Sequence, residues 1–123
     1  MRVRGHLSTG VVLALLLLLA IASPLGAGEL PISLVSLSSP VVASRDASIQ
    51  IQTSAGAKCS ITVIYKSGPS KAKGLSPQTA DGRGRVGWRW RVGSNTTPGR
   101  WPIVVRCERG GDKGELRTSF EVR

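Results

Sequence analysis

Histidine is nearly missing from this chain: it occurs once, as His6, close to the start. The remainder therefore holds no imidazole, which rules out a Ser–His–Asp triad, a Cys–His dyad and a histidine-ligated zinc site there. Acids are also sparse, with 7 Asp and Glu against 17 Lys and Arg. Glu29, Asp46, Asp81, Glu108, Asp112, Glu115 and Glu121 are scattered, and no spacing among them suggests two carboxyls facing one cleft for glycoside hydrolysis. Asp112 and Glu115, set among Gly110, Gly111 and Lys113, read as a solvated turn with fewer oxygens than calcium needs. Lys66-Ser67 and Ser70-Lys71 lie in a Gly/Pro loop with no supporting pattern. No catalytic residue, cofactor or metal ligand is expected, and the chain is read as non-enzymatic. Helical periodicity of useful length, internal repeats and low-complexity tracts are absent beyond the first residues.

What the chain does have begins with a leader. Arg2 and Arg4 precede Val11–Ala22, a run with no polar side chain, and Ser23 and Pro24 then interrupt the apolar stretch. This is the layout of a secretion signal over residues 1–27, with cleavage after Ala22 or Ala27. An uncleaved membrane anchor is the competing reading, disfavoured because a span needs about 20 apolar residues. The expected location is secreted or cell envelope, with membrane contact only if the leader stays attached. Residues 28–123 then form one domain of roughly 100 residues.

Alternation with a period of two dominates those residues. Strands are expected at 32–37, 47–53, 58–66, 85–92, 100–109 and 116–122, with a short one near 76–80. In Arg85–Val92, Val86, Trp88, Trp90 and Val92 share one face, and Arg85, Gly87, Arg89 and Arg91 the other. Trp101, Ile103, Val105 and Cys107 should point inward from the next strand, and Leu116, Thr118, Phe120 and Val122 from the last. The stretch 67–75 reads as a loop, Asp81-Gly82 as a hairpin-type turn, and GGDKGE (110–115) as a turn. Gly82 to Gly87 matches G-x-G-x-x-G, but a strand follows instead of a helix, so the dinucleotide reading fails. Asn95-Thr96-Thr97 has the form of a glycosylation sequon in a loop. The expectation is an all-β antiparallel sandwich of about seven strands behind a signal helix.

Cysteine occurs twice, as Cys59 and Cys107, which in an exported chain permits one intramolecular disulfide. Closing a loop of about 50 residues is worth about 4 kcal/mol in the chain-entropy model.

The segments KCSITVIYKSGPS…KGL and DGRGRVGWRWRVGSNTTPGRWPIVVRC resemble the small immunoglobulin-like β-sandwich domains of bacterial exported and cell-surface proteins. Pro98-Gly99-Arg100-Trp101 matches the step that often leads into their penultimate strand. The resemblance covers roughly residues 40–122 and implies the sandwich fold, with roles as spacer, adhesin or enzyme appendage. Tyr65 stands on the strand where antibody domains carry tryptophan. With the strands lettered as in such domains, Cys59 opens C and Cys107 closes F, and the bridge falls within one sheet. Should Cys59 belong to B instead, the bridge joins the two sheets.

Charge supplies the functional hint. Without Arg2 and Arg4, 15 basic residues face 7 acidic ones, a net charge of +8. Lys71, Lys73, Arg83, Arg85, Arg89 and Arg91 form the candidate polyanion-binding set, a basic stripe that would attract an anionic cell-envelope polymer in a salt-dependent way. Solubility alone is the plainer reading of such a run. Trp88, Trp90 and Trp101 are expected as core, not as a sugar-stacking platform. The expected function is a non-catalytic exported binding or structural module. The alternative is a secreted inhibitor or accessory subunit that contacts another exported protein through loops 67–75 and 93–99. Nucleic acid ranks below both as a partner.

Overall fold

The computed structural model describes residues 28–123; the expected signal segment, with the helix and cleavage point expected of it, lies outside the described residues. Eight strands follow in order: β1 (Ser33–Leu37), β2 (Asp46–Gln52), β3 (Lys58–Tyr65), β4 (Gly68–Pro69), β5 (Gln78–Thr79), β6 (Arg85–Arg91), β7 (Gly99–Arg109) and β8 (Asp112–Val122). They make two antiparallel sheets, one ordered β1-β2-β6 and the other β4-β3-β7-β8, with β5 also paired to β3.

The inward faces are those that the alternation marks. Ile49 and Ile51 of β2 lie opposite Trp88 and Val86 of β6, and small Ala47 lies opposite large Trp90. In the other sheet Ile61 and Val63 face Val105 and Ile103, and Trp101 faces Phe120. All but Trp101 are buried. Trp90 and Phe120 meet edge to face across the two layers, with ring centroids 5.6 Å apart, so the largest side chains interlock the sheets. Each indole N–H has an acceptor: Trp90 Nε1 donates to Tyr65 Oη at 3.1 Å, Trp88 Nε1 to the Ser76 carbonyl at 2.8 Å. Burial pushes the Tyr65 phenol above its ordinary value, partly offset by the Trp90 hydrogen bond.

Several expectations change. The β7–β8 turn is only Gly110-Gly111, both at positive φ (57° and 93°), because a two-residue loop of this handedness matches the strand twist. Residues 112–115 thus belong to β8 and not to the turn. Asp81–Gly84 does turn the chain but is no hairpin: β5 before it belongs to the larger sheet and β6 after it to the smaller. The stretch 67–75 includes β4, which pairs with Ile64 and Tyr65. Trp101 is half-buried, its Nε1 donating to the Thr97 carbonyl at 2.8 Å. Val104, on the outer face, is buried even so, flanked by Thr62 of β3 and Arg117 of β8. On β1, Leu34 and Val35 stay exposed, since β1 is an edge strand with a register shift between Leu34 and Ser36.

Both open sides of the sandwich are closed by irregular chain. Residues 29–30 and 41–43 lie along β8, through Leu30 N to Lys113 O and Val41 N to Glu121 O. On the opposite side the 70–77 segment crosses from β4 to the edge of β6, with Ala72 and Leu75 packed against the core.

Candidate functional site

The cysteines fall in register on adjacent strands of the larger sheet, Cys59 of β3 opposite Cys107 of β7. Their Cα atoms are 4.0 Å apart and the disulfide is formed. Of the two readings left open by the strand lettering, the in-sheet bridge is the one observed. Both residues are buried, and no free thiol remains among the described residues. A disulfide is the covalent form expected outside the reducing cytoplasm.

The arginines of β6 project from the outer face of the smaller sheet, because Val86, Trp88 and Trp90 occupy the inner one. Cross-strand partners on β2 hold them. Arg89 Nε donates to Asp46 Oδ2 at 3.2 Å, and Arg91 Nε lies 3.8 Å from Asp46 Oδ1, so one carboxylate serves two guanidinium groups. Arg91 also donates through Nη1 to the Ser44 carbonyl at 3.0 Å. Arg85 Nε donates to Gln52 Oε1 at 2.7 Å. Arg89 and Arg91 remain 75% and 71% exposed as side chains, so these contacts orient the groups without covering them. Exposed pairs of this kind add little stability.

Asp81 builds the turn that delivers Arg83 and Arg85 to this face. Its Oδ1 accepts both the Arg83 and the Arg85 backbone N–H at 2.9 Å. Those two bonds, that from Arg85 first, hold the Asp81 carboxyl below its ordinary value. Gln52 Nε2 adds a donor to the Arg83 carbonyl. A polar hollow of about 500 Å³ opens here, lined by Gln50, Gln52, Asp81, Arg83, Arg85 and Gly87.

Lys71 and Lys73, both exposed, are on the segment that crosses to β6. The close approach depends on Gly74, at φ +96°, where a Cβ would sit 1.9 Å from the Arg89 carbonyl oxygen. The fold thus brings Lys71 and Lys73 to the edge of the strand that carries Arg85, Arg89 and Arg91. It also seats two acids, Asp46 and Asp81, among these cations, which strand alternation alone does not reveal. The signal for Asp46 lies in the β2–β6 register, legible only once the pairing is known.

The two loops of the protein-contact alternative converge in part. Tyr65, Lys66 and Ser67 face Gly93 to Thr97 across a cleft of about 700 Å³, whereas 70–75 belongs to the β6 edge. Asn95 is exposed in this loop. A third hollow, of about 610 Å³, lies at the disulfide end of the larger sheet and mixes Lys58, Arg106 and Lys113 with Glu29, Glu108 and Glu115. Hydrogen bonding and charge from Arg117, then Arg106, lower the Glu115 carboxyl. Among the described residues no group of three His, Cys, Asp or Glu side chains could hold a metal ion.

No protein-family model matches the chain, and no curated protein matches it. Among solved structures it is similar to chitinase ChiW from Paenibacillus sp. str. FPU-7, a bacterial cell-surface-expressed multi-modular enzyme machinery. The TM-score is 0.51 and the identity 14%, over 78% of this chain and 9% of that one. A family 123 glycoside hydrolase from Clostridium perfringens aligns with a TM-score of 0.41 and 11% identity, over 76% of this chain and 27% of the enzyme. The chain therefore spans a small part of either enzyme, and the likeness to the chitinase is one of all-β fold.

Proposed function

We propose that this chain is a non-catalytic extracytoplasmic module of the immunoglobulin-like sandwich type, which docks on an anionic surface polymer through the outer face of β6. The strand order supports the sandwich type: β1-β2-β6 against β3-β7-β8 corresponds to A-B-E against C-F-G. The disulfide and the place of the similar segment within a cell-surface, multi-modular enzyme support the setting and the accessory role.

One observation carries the docking reading. Arg85, Arg89 and Arg91 leave one strand on one face, each with Nε engaged by a β2 side chain. Guanidinium groups oriented before binding lose less freedom when an anion arrives. Beyond these contacts the Nη groups of Arg85 and Arg89, and the Nη2 of Arg91, remain as donors for carboxylate or phosphate. Alternation spaces Arg89 and Arg91 by about 6.6 Å and Arg85 and Arg89 by about 13 Å, which suits a repeating polymer better than a single small anion.

Retention on a carboxylate- or phosphate-bearing matrix tests this. Arg85→Ser/Arg89→Ser/Arg91→Ser should elute at clearly lower salt than the parent. It should also elute earlier than Arg100→Ser/Arg106→Ser/Arg117→Ser, which removes three charges from the other sheet. Equal elution of the two triple variants would mean that net charge, not this face, governs retention.

The cleft between Tyr65–Ser67 and Gly93–Thr97 favours a second reading, contact with another exported protein through these loops. Recovery of one stoichiometric protein from culture fluid, lost on Ser94→Arg/Thr96→Arg, would support it.

A further inference from the structure

The outer face of the smaller sheet carries more than its arginines. The strand register sets three rows across it: Arg85 of β6 beside Gln52 of β2 and Ser33 of β1, then Gly87 beside Gln50 and Ser36, then Arg89 beside Ser48. Ser38, just past β1, extends the third row, with its Oγ 3.2 Å from Ser48 Oγ. A cationic border along β6 thus runs beside a terrace of amides and hydroxyls on β2 and β1. Two strand spacings make that terrace about 10 Å deep.

The middle row opens into the hollow of about 500 Å³ beside Arg85. Gly87 brings no side chain to it, and a Cβ there would lie 3.1 Å from Gln50 Cγ and 3.0 Å from the Ile49 carbonyl oxygen. The Gln52 amide is already committed, to Arg85 Nε through Oε1 and to the Arg83 and Thr53 carbonyls through Nε2. Gln50 and Ser36, both exposed, remain with donors and acceptors to offer. Among the described residues, the acids at this face are Asp46 at one end of β2 and Asp81 in the turn. No aromatic ring lies on it: Trp88 and Trp90 are buried on the inner side, and Tyr65, Trp101 and Phe120 belong to the larger sheet.

These features separate the classes of anionic polymer. A phosphate chain has acceptors alone and uses only the donor half of the terrace. A single nucleic-acid strand is held by rings on which its bases stack, and this face has none. A sugar chain bearing carboxylates matches both parts. Its carboxylates suit the guanidinium groups, and its hydroxyls donate and accept as the Gln50 amide and the serine hydroxyls do. We infer that the polymer docked here is an acidic polysaccharide, with carboxylates on the β6 arginines, hydroxyls over Gln50 and Ser36, and a sugar ring seated in the hollow at Gly87. This inference rests on the docking reading above and narrows it to one class of ligand.

Calorimetric titration of protein purified after expression of the full chain tests it, at one salt concentration and with three probes. Polygalacturonate offers carboxylates and hydroxyls, polyacrylate carboxylates alone, and polyphosphate neither. Gln50→Ala/Ser36→Ala alters two exposed side chains and no charge, and should keep the parent's tryptophan fluorescence. It should bind polygalacturonate about fivefold more weakly than the parent, as the loss of two solvent-facing hydrogen bonds predicts, and bind polyacrylate and polyphosphate as the parent does. Arg85→Ser/Arg89→Ser/Arg91→Ser should lose affinity for all three probes. Equal affinity of parent and double-alanine variant for polygalacturonate overturns the polysaccharide assignment. So does an equal loss on all three probes, or a parent that binds the other two but not polygalacturonate. In each of these cases a weakened triple-arginine variant leaves the docking face standing. A triple-arginine variant that binds every probe like the parent overturns the docking reading and this inference with it.

Discussion

Replacing Cys59 and Cys107 together by alanine removes the covalent link between β3 and β7 but leaves the β-ladder on which it sits. The two strands still pair from Lys58–Glu108 to Val63–Ile103, so the folded state should keep its topology. The effect falls on the unfolded chain, which gains the freedom of a loop with sequence separation 48. The loop-entropy relation gives about 4 kcal/mol for this length at 25 °C. Domains of this kind have a total of about 5–15 kcal/mol, so most of a weak reserve or a quarter of a strong one would vanish. In a domain of this size that is a fall in Tm of roughly 15–30 °C. Urea unfolding followed by tryptophan fluorescence measures it, with Trp88 and Trp90 as interior reporters. The expected pattern is an unchanged native spectrum, a lower midpoint and a steeper slope, because the unlinked chain exposes more surface on unfolding. A loss below about 1 kcal/mol would refute the reasoning, since it would place the cross-link outside the stability of the fold.

Tyr65→Phe should cost about 1–3 kcal/mol by urea titration, because the buried Trp90 N–H loses its acceptor. Gly74→Ala should lower stability by more than about 1 kcal/mol and broaden amide signals of β6 in NMR spectra, as the new methyl collides with the Arg89 carbonyl at a positive φ. Acid should loosen the 81–85 turn: the Asp81 pKa is depressed in the fold, so its contribution is full above the unfolded value of about 3.9 and is lost as pH falls through the folded one. Asp81→Asn should remove that part of the acid transition, seen as pH-independent Arg83 and Arg85 amide shifts below about pH 4. At the alkaline end the raised Tyr65 pKa makes stability decline above about pH 10, and Tyr65→Phe should flatten that decline.

Legibility from sequence followed strand length and position in the sheet. β2, β3, β6 and β7 are long enough to show a period of two, and Ile49, Ile51, Cys59, Val63, Trp88 and Trp90 fall inside as that period requires. β5, with two residues, falls inside the short strand expected near 76–80; β4, also of two residues, is too short for any period and exists because β3 offers it a free edge. The start of β8 was hidden by Asp112, Lys113, Gly114 and Glu115, residue types that strands disfavour; the long hairpin with β7 overrides them. Leu34 and Val35 fall within the strand expected at 32–37, but which of them faces the core was not read from the sequence; on this edge strand with its register shift both stay exposed. At the candidate site, alternation along β6 was enough to put Arg85, Arg89 and Arg91 on one outer face. The role of Asp46 was not legible, because a strand gives its own faces but not its register with a neighbour 40 residues away in sequence (Arg89 and Asp46, separation 43).

The way residues 41–43 lie beside the end of β8 bears on mechanics. They run parallel to it, with Val41 N bonded to Glu121 O, Arg123 N to Val41 O and Ala43 N to Arg123 O. Tension applied to the two ends of residues 28–123 pulls these strands in opposite senses along their axes. The bonds are then loaded together in shear, rather than opened one by one as in a peeled hairpin. Once they yield, the clip between residues 59 and 107 withholds a stretch of separation 48, about 160 Å of contour that a reduced chain would release. The same fold would thus be a short, stiff tether when oxidised and a long, yielding one when reduced.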